Sequence, residues 1–94
     1  MARYRIVRWR EIPALVEAWD DAGRARVLLS PRFQDLIDAV AMREGASESE
    51  AYLEAWGEDP EAERAGPARP VAEAVAAELE ATFGQLVDRY PGNR

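Results

Sequence analysis

Apolar residues alternate with polar ones on both sides of a turn at residues 20–23, and this pattern constrains the fold more than any other part of the sequence. Aspartates and a glycine in this segment are typical of a turn between antiparallel strands. One face of the resulting hairpin is apolar, and a slip of one residue would mix the two faces. The predicted cross-strand pairs are Trp19–Arg24, Ala18–Ala25, Glu17–Arg26 and Val16–Val27. The apolar face consists of Ala14, Val16, Ala18, Ala25, Val27 and Leu29.

The other face of this hairpin is polar and aromatic. It is predicted to carry a charge pair between Glu17 and Arg26 and a cation–π pair between Trp19 and Arg24. By propensity alone residues 14–19 are also compatible with a short helix, but the sorting of the two faces favours a strand. Residues 3–10 mix β-favouring side chains with arginines and predict a first strand, which Pro13 separates from the second.

A helix follows the hairpin. Ser30 and Pro31 have the character of an N-cap followed by proline at the first helical position. Gly45 is the predicted stop of this helix. Its buried stripe recurs with helical spacing at Phe33, Leu36, Ile37, Val40 and Ala41.

Two more helices are predicted in the second half of the chain. Residues 47–50 resemble a capping box that opens a short helix through Trp56, with Gly57 as its end. Residues 57–69 predict a loop, in which 59–66 are compatible with one or two helical turns. A long helix starts near Pro70, and Gly84 within it implies close packing or a bend. The stripe of this last helix is Val71, Ala74, Val75, Leu79, Thr82, Phe83, Leu86, Val87 and Tyr90.

These elements predict an α+β domain of the order β-β-β-α-α-α. A three-stranded antiparallel sheet is followed by three helices packed on one face. Residues 1–90 are expected to form a single domain and residues 91–94 a frayed C-terminal tail. Arginines interrupt the N-terminus and no apolar run of about 20 residues occurs, so we expect a cytoplasmic protein without a membrane segment.

The chain contains no histidine, cysteine or lysine, and all 12 of its basic residues are arginine. Serine–histidine and cysteine–histidine catalysis, Schiff-base chemistry and Cys/His metal sites are therefore excluded. The acidic run at Glu58, Asp59, Glu61 and Glu63 lacks the ligand order of a calcium loop and is interpreted as a solvated charge run. Glu78 is the one candidate carboxylate for general acid–base catalysis, but an ion pair with an arginine of the sheet is the favoured interpretation. We predict no catalytic residue, cofactor or metal.

Charge is distributed unevenly along the chain, whose net charge is −6. Residues 1–32 carry seven arginines against four acids, whereas residues 33–94 carry five arginines against fourteen acids. If the two halves form separate faces, the molecule is a dipole that can orient a partner. Ordinary pairing within one domain is the alternative.

Arginines and tryptophans are predicted to share the outer sheet face, which makes this face the first candidate for partner binding. Stacking on single-stranded nucleic acid is disfavoured because the sequence pI is about 4.6. Two alternative roles of this face are not distinguished by the sequence: it is either a contact surface for an acidic protein or a structural shield for the sheet. The candidate residues of this face are Arg5, Trp9, Trp19, Arg24 and Arg26.

Two smaller sets complete the candidate partner-binding residues. Arg32, Gln34 and Asp38 flank the stripe of the first helix, where they form either a recognition patch or a solvated face. Tyr52 and Trp56 stand one turn apart in the second predicted helix, where they either anchor an interface or close the core.

Several segments together resemble a small bacterial domain family known as "virulence factor". The resemblance extends from Arg3 to about Ala81. This domain also forms one end of longer virulence factors with NifU-N-like and HEAT-like regions. The segments are residues 3–9 with Ile12, Pro13 and Ala14; residues 32–34 with 37–39, Ala41 and Met42; Tyr52 and Leu53 with Trp56; and Ala74 and Val75 with Glu78 and Leu79.

The resemblance implies an interaction module, because a domain joined to HEAT-like repeats is better suited to binding than to independent catalysis. We therefore expect a non-enzymatic adaptor that binds a protein through the Arg/Trp sheet face or an open strand edge. The alternative, implied by an association of the family with one-carbon and corrinoid metabolism genes, is an accessory subunit or small-molecule-binding component of a metabolic enzyme complex. Nucleic acid and membrane are not expected as partners, whereas open edges also allow self-association.

Overall fold

The computed structural model describes residues 1–45 and 50–90, and these form an α+β structure. Its elements are β1 (Ala2–Trp9), β2 (Ile12–Asp20), β3 (Gly23–Leu28), α1 (Pro31–Arg43), α2 (Glu50–Glu54), β4 (Trp56–Glu58), β5 (Ala62–Arg64), α3 (Ala68–Glu80) and α4 (Phe83–Arg89). The α+β class is confirmed, but the described residues contain five strands and four helices instead of three of each.

All strand pairs are antiparallel, and the sheet has the order β3-β2-β1-β4. Strand β5 also pairs with β1, beside its first residues, whereas β4 pairs with its last. The hairpin register is confirmed, since Trp19 lies opposite Arg24 and Glu17 opposite Arg26. Residues 14–19 therefore belong to a strand, and the helical alternative is wrong.

The segment after Gly45 differs from the prediction. Residues 47–49 of the proposed capping box lie outside the described residues, and α2 ends at Glu54 instead of Trp56. Trp56 belongs to β4, and residues 62–64 form β5 where a loop or a helical turn was expected. The free backbone edge of β1 provides hydrogen-bond partners for both segments, and these tertiary contacts outweigh the local preference.

Helix α1 has the predicted boundaries and the predicted buried stripe. Pro31 occupies the first turn, and Gly45 follows the helix with a φ of 73° in the left-handed region that favours glycine. The five buried residues match the prediction completely: Phe33, Leu36, Ile37, Val40 and Ala41.

The last predicted helix is divided into α3 and α4. The break lies at Ala81 and Thr82, where the Thr82 hydroxyl donates to the Leu79 carbonyl oxygen over 2.7 Å. A Cβ atom at Gly84 would meet nothing within 4 Å. Of the two alternatives for Gly84, close packing is therefore wrong, and the chain bends just before this residue. The predicted tail, residues 91–94, lies outside the described residues.

Helix α3 covers one face of the sheet and packs mainly on β2 and β3. Small side chains line this contact, because Ala18, Ala25, Ala72 and Ala76 are all buried. Alanines on both surfaces allow the helix to approach the strands closely. No helix within residues 1–45 and 50–90 is long and apolar enough to cross a membrane.

A carboxylate joins the start of α1 to the end of α3. Glu80 accepts hydrogen bonds from the Ser30 backbone N–H over 2.6 Å and from the Ser30 hydroxyl over 2.8 Å. Arg32 donates to the Glu80 carboxylate and to its backbone carbonyl oxygen. Ser30 does occupy the N-cap position, but its side chain bonds Glu80 and not the first turn of its own helix. Burial opposes the ionised form, and the hydrogen bonds from Ser30 and Arg32 outweigh burial and lower the pKa of Glu80.

Replacing Glu80 with Gln is expected to reduce the free energy of unfolding by about 1 kcal/mol near pH 7, because hydrogen bonds to a charged acceptor are stronger than those to a neutral amide. Since the pKa of Glu80 is lowered on folding, its contribution is complete above the ordinary glutamate value of 4.5 and is lost as the pH falls through the folded pKa. Urea titrations at pH 7 and pH 3 would measure this. Glu73→Gln on the exposed side of α3 is the control, with an expected change below about 0.5 kcal/mol. An equal cost of Glu80→Gln at both pH values would contradict the role of the charge.

Candidate functional site

The structure contains an arginine-rich concavity, which we name the arginine depression. Residues of β1, β2 and β3 line it together with Glu61 and with Arg69 at the start of α3. It has a volume of about 600 Å³. Four of its lining residues are arginines and two are glutamates, so its local charge is positive in a chain of net charge −6. The lining residues are Arg5, Glu17, Ala18, Trp19, Arg24, Ala25, Arg26, Glu61 and Arg69.

Strand register places these side chains together. Arg5 of β1, Glu17 of β2 and Arg26 of β3 form one row across three strands. The next row contains Trp19 of β2 and Arg24 of β3. Because side chains two residues apart share a face of a strand, both rows face the same side of the sheet.

Arg5 provides the fixed part of the depression. Its Nε donates to Glu17 Oε1 over 3.0 Å and lies 3.4 Å from a carboxylate oxygen of Glu58. The hydrogen bond to Glu17 and the nearby carboxylates raise the pKa of Arg5. Its guanidinium also lies 5.5 Å from the centre of the Trp19 ring. Arg5 therefore holds both the carboxylate and the ring in place.

This arrangement corrects two predicted contacts. Glu17 pairs with Arg5 and not with Arg26, and the cation over Trp19 is Arg5 and not Arg24. β2 lies between β1 and β3, so Glu17 has an arginine opposite it on each side, Arg5 on β1 and Arg26 on β3. The pairing with Arg5 is favoured because its side chain is only 32% exposed, and attraction between charges is stronger where water is partly excluded.

Arg24 and Arg26 are the arginines of the depression whose guanidinium groups are available to bind a ligand. Both are exposed, and neither makes an ion pair, hydrogen bond or ring contact with any residue in 1–45 or 50–90. Every other arginine in these ranges has such a partner. Arg69 has only a long contact of 4.0 Å to Glu73, with both side chains about 60% exposed. The free guanidiniums can therefore bind an external anion.

Asp20 holds the segments beside the depression in place. From the sequence, this residue was identified only as part of the turn. One carboxylate oxygen accepts the backbone N–H groups of Ala22 and Gly23, and the other accepts that of Ala68 over 2.8 Å. The hydrogen bond from Ala68 is the main cause of the lowered pKa of Asp20. This contact ties the hairpin turn to the first residue of α3 and brings Arg69 beside β3. An aspartate at the first turn position was the available signal.

Trp9 does not lie on the exposed face, contrary to the prediction. It is fully buried, and its Nε1–H donates to the Tyr52 carbonyl oxygen over 3.0 Å. Its ring centre lies 5.8 Å from that of Tyr52, which in turn lies 6.1 Å from that of Trp56. Tyr52 and Trp56 are half-buried against the core. These three aromatic residues close one end of the core, so the interface alternative for Tyr52 and Trp56 is not favoured.

The polar set on α1 is not brought to the depression. The Arg32 guanidinium lies 4.4 Å from the centre of the Phe83 ring and bonds Glu80, so it links α1 to α3 and α4. Gln34 donates to Asp38 over 2.9 Å on an exposed helix face. Both observations match the structural interpretation of these residues.

Glu78 has the partner that was expected for it. Arg64 of β5 donates to both of its carboxylate oxygens, over 3.1 and 2.5 Å. The hydrogen bond from Arg64 lowers the pKa of Glu78, and the side chain is 61% exposed. A general acid requires a raised pKa, so Glu78 does not fit that role.

Comparison with known proteins identifies the family of the chain. A family described as "Virulence factor" matches residues 7–86, which include all described strands except the start of β1, and every lining residue of the arginine depression except Arg5. No curated protein and no solved structure matches the chain. Since the match covers most of the 94 residues, the chain belongs to the virulence factor family.

Proposed function

We propose that this protein is a non-enzymatic binding module that recognises an acidic protein through the arginine depression. The observation that carries the proposal is the state of Arg24 and Arg26, the two arginines of residues 1–45 and 50–90 without an intramolecular partner. An exposed guanidinium binds carboxylates with two parallel hydrogen bonds, which adds geometric specificity. The half-buried Trp19 ring beside them adds apolar contact area.

The surrounding charges support an acidic partner over a polyanion such as nucleic acid. Glu17, Glu58 and Glu61 lie in or near the depression and would repel a continuous phosphate backbone. A folded acidic protein can place separate carboxylates at the two free arginines and leave the glutamates in water. Electrostatic complementarity of this kind raises the association rate and suppresses wrong partners.

Charge reversal tests this proposal. Arg24→Glu/Arg26→Glu is expected to weaken binding of the partner at least about 30-fold, because each hydrogen bond to a charged group contributes about 1.5 kcal/mol or more. The melting temperature should change little, since neither side chain stabilises the fold by a contact. Proteins captured from the source cell by the wild type would be identified by mass spectrometry, purified and titrated against both variants by calorimetry.

Arg43→Glu/Arg89→Glu is the matched control, since it changes the net charge by the same amount on helices away from the depression. It should retain the captured partner at nearly full affinity. Equal weakening by both double variants would show only a non-specific charge effect and would contradict the proposed surface. A large fall in melting temperature on changing Arg24 and Arg26 would instead support a structural role for them.

The volume of the depression favours one alternative. About 600 Å³ falls in the range of small-molecule sites, so an accessory subunit that holds an anionic metabolite for an enzyme complex is the second proposal. This function predicts co-purification with one enzyme at fixed stoichiometry. It also predicts a rise in melting temperature with a small polycarboxylate such as citrate, which Arg24→Glu/Arg26→Glu should abolish. The absence of both effects would contradict it.

A further inference from the structure

We propose that strand β3 accepts an extended acidic segment of the partner as an additional antiparallel strand of the sheet. Two carboxylates of that segment face Arg24 and Arg26, and an apolar side chain faces Leu28. This inference rests on the proposed function and specifies its partner as a strand with acidic residues at alternate positions.

Strand β3 is an open edge of the sheet. It pairs with β2 on one side, and no strand of the described residues pairs with its other side. The backbone N–H of Leu29 donates to the Ala14 carbonyl oxygen over 3.0 Å, so Leu29 is one of the β3 residues that hydrogen-bond β2. Along an antiparallel strand, residues that bond the neighbouring strand alternate with residues whose backbone groups point away from it. The backbone groups of Arg24, Arg26 and Leu28 therefore point away from β2, and within the described residues they have no hydrogen-bond partner.

The opposite edge of the sheet is poorly suited to strand addition. It consists of β4 and β5, which contain three residues each and are separated by residues 59–61. Pro60 in this break has no N–H group to donate. Short edge strands and prolines protect natural sheets against further pairing. Within the described residues, β3 thus presents the longer continuous edge.

The side chains along the β3 edge indicate the chemistry of the added strand. Arg24, Arg26 and Leu28 share one face, and all three are exposed, Leu28 to 71%. A strand beside β3 would place its own alternate side chains about 5 Å from these residues. Carboxylates opposite the two arginines and an apolar residue opposite Leu28 form favourable cross-strand pairs.

An apolar groove at the Leu28 end extends this match. The groove has a volume of about 320 Å³ and provides room for an apolar side chain. It is lined by Ala14, Leu15, Leu28, Leu29, Ser30, Pro31, Gln34 and Trp56. The charged part of the added strand therefore lies towards the hairpin turn, and its apolar part towards α1.

A second copy of this chain is a poor occupant of the same edge. Antiparallel pairing of two β3 strands would bring four guanidiniums onto one face of the joined sheet. Like charges opposite each other destabilise strand pairing, and basic side chains on edge strands are a known protection against self-association. An acidic strand removes this repulsion, so it is the favoured occupant.

A peptide with modified amides tests the inference on the unaltered protein. The probe is a fluorescein-labelled Thr-Leu-Thr-Glu-Thr-Glu-Thr peptide, titrated by fluorescence anisotropy at low salt. In the proposed antiparallel arrangement the leucine and glutamate amides face β3, and the threonine amides at alternate positions face away. N-methylation of the first set should lower the affinity at least tenfold, and N-methylation of the second set should change it less than twofold.

Amide hydrogen exchange provides a second measurement. On peptide binding, exchange of the backbone N–H groups of Arg24, Arg26 and Leu28 should slow at least tenfold. Val27, whose N–H belongs to the ladder with β2, is the internal control and should show a smaller change. Unchanged exchange at the three outward amides with bound peptide would overturn strand addition.

The outcomes separate this inference from the proposed function. If Arg24→Glu/Arg26→Glu abolishes peptide binding but N-methylation of either set has equal effects, the acidic-partner function stands and strand addition is overturned. If neither the charge reversal nor the methylation lowers the affinity, both are overturned. Dimerisation of the free protein in sedimentation, with the three amides protected, would assign the edge to a second copy and also overturn the inference.

Discussion

Replacing Trp9 with alanine is expected to reduce the free energy of unfolding by about 3–5 kcal/mol, the range for large aromatic residues in cores. Trp9 is fully buried, so truncation removes a large apolar contact area and leaves a cavity between β1 and α2. It also leaves the Tyr52 carbonyl oxygen without its donor, since the indole N–H lies 3.0 Å from it. For a domain of this size, such a loss is a large fraction of the total stability.

Urea denaturation followed by circular dichroism would measure this effect. Trp19→Ala is the matched control, because Trp19 lies on the neighbouring strand but is only half-buried on the open face of the sheet. Its truncation is expected to cost about 1 kcal/mol or less, because substitutions of partly exposed side chains have small effects. If Trp9→Ala does not fold, Trp9→Phe keeps most of the apolar area and should lose about 1–2 kcal/mol through the missing hydrogen bond and smaller ring. Equal costs at Trp9 and Trp19 would contradict the burial of Trp9.

Replacing Ala72 with leucine is expected to reduce the free energy of unfolding by about 2–3 kcal/mol, although leucine is a good helix former. Ala72 is fully buried on the face of α3 that packs on β2 and β3, where Ala18 and Ala25 are its small counterparts. Three additional carbon atoms at this position require the helix to move away from the sheet. Such a shift would also strain the hydrogen bond between the Ala68 N–H and Asp20 at the start of α3.

Ala77→Leu on the same helix is the matched control, because Ala77 is exposed. The same substitution there should change the stability by less than about 0.5 kcal/mol. Thermal and urea denaturation of both variants would provide the comparison. If Ala72→Leu were as stable as the wild type, the close approach of α3 to the sheet would be wrong.

Local patterns account for the parts of the fold that were predicted correctly. The register of β2 and β3 followed from a turn at residues 20–23 and from the alternation of apolar and polar residues on both sides. The buried stripe of α1 followed from helical spacing between Pro31 and Gly45. These features depend on residues that are close in sequence, where turn chemistry and periodicity are sufficient.

Features that depend on distant residues were missed or predicted wrongly. Residues 56–58 have no strong strand pattern, and they form β4 because β1, nearly fifty residues earlier, provides a backbone edge. The same pairing places Trp56 beside Trp9 and closes an aromatic cluster around Trp9. The alternation of side chains along residues 3–9 does not show that the short helix α2 covers Trp9, the last residue of this segment.

For the candidate site, the sequence by itself determined which hairpin residues share a face, but not that Glu61 and Arg69 also line the depression. Alternation and turn position were enough to place Glu17, Trp19, Arg24 and Arg26 on the polar side of one hairpin. Only the tertiary structure decided which of these groups are paired and which are free. Glu17 and Trp19 have cationic neighbours on two strands, and both contact Arg5, whose side chain is only 32% exposed in the assembled sheet. That selection depends on solvent exclusion by the assembled sheet, and it leaves Arg24 and Arg26 available at the β3 edge.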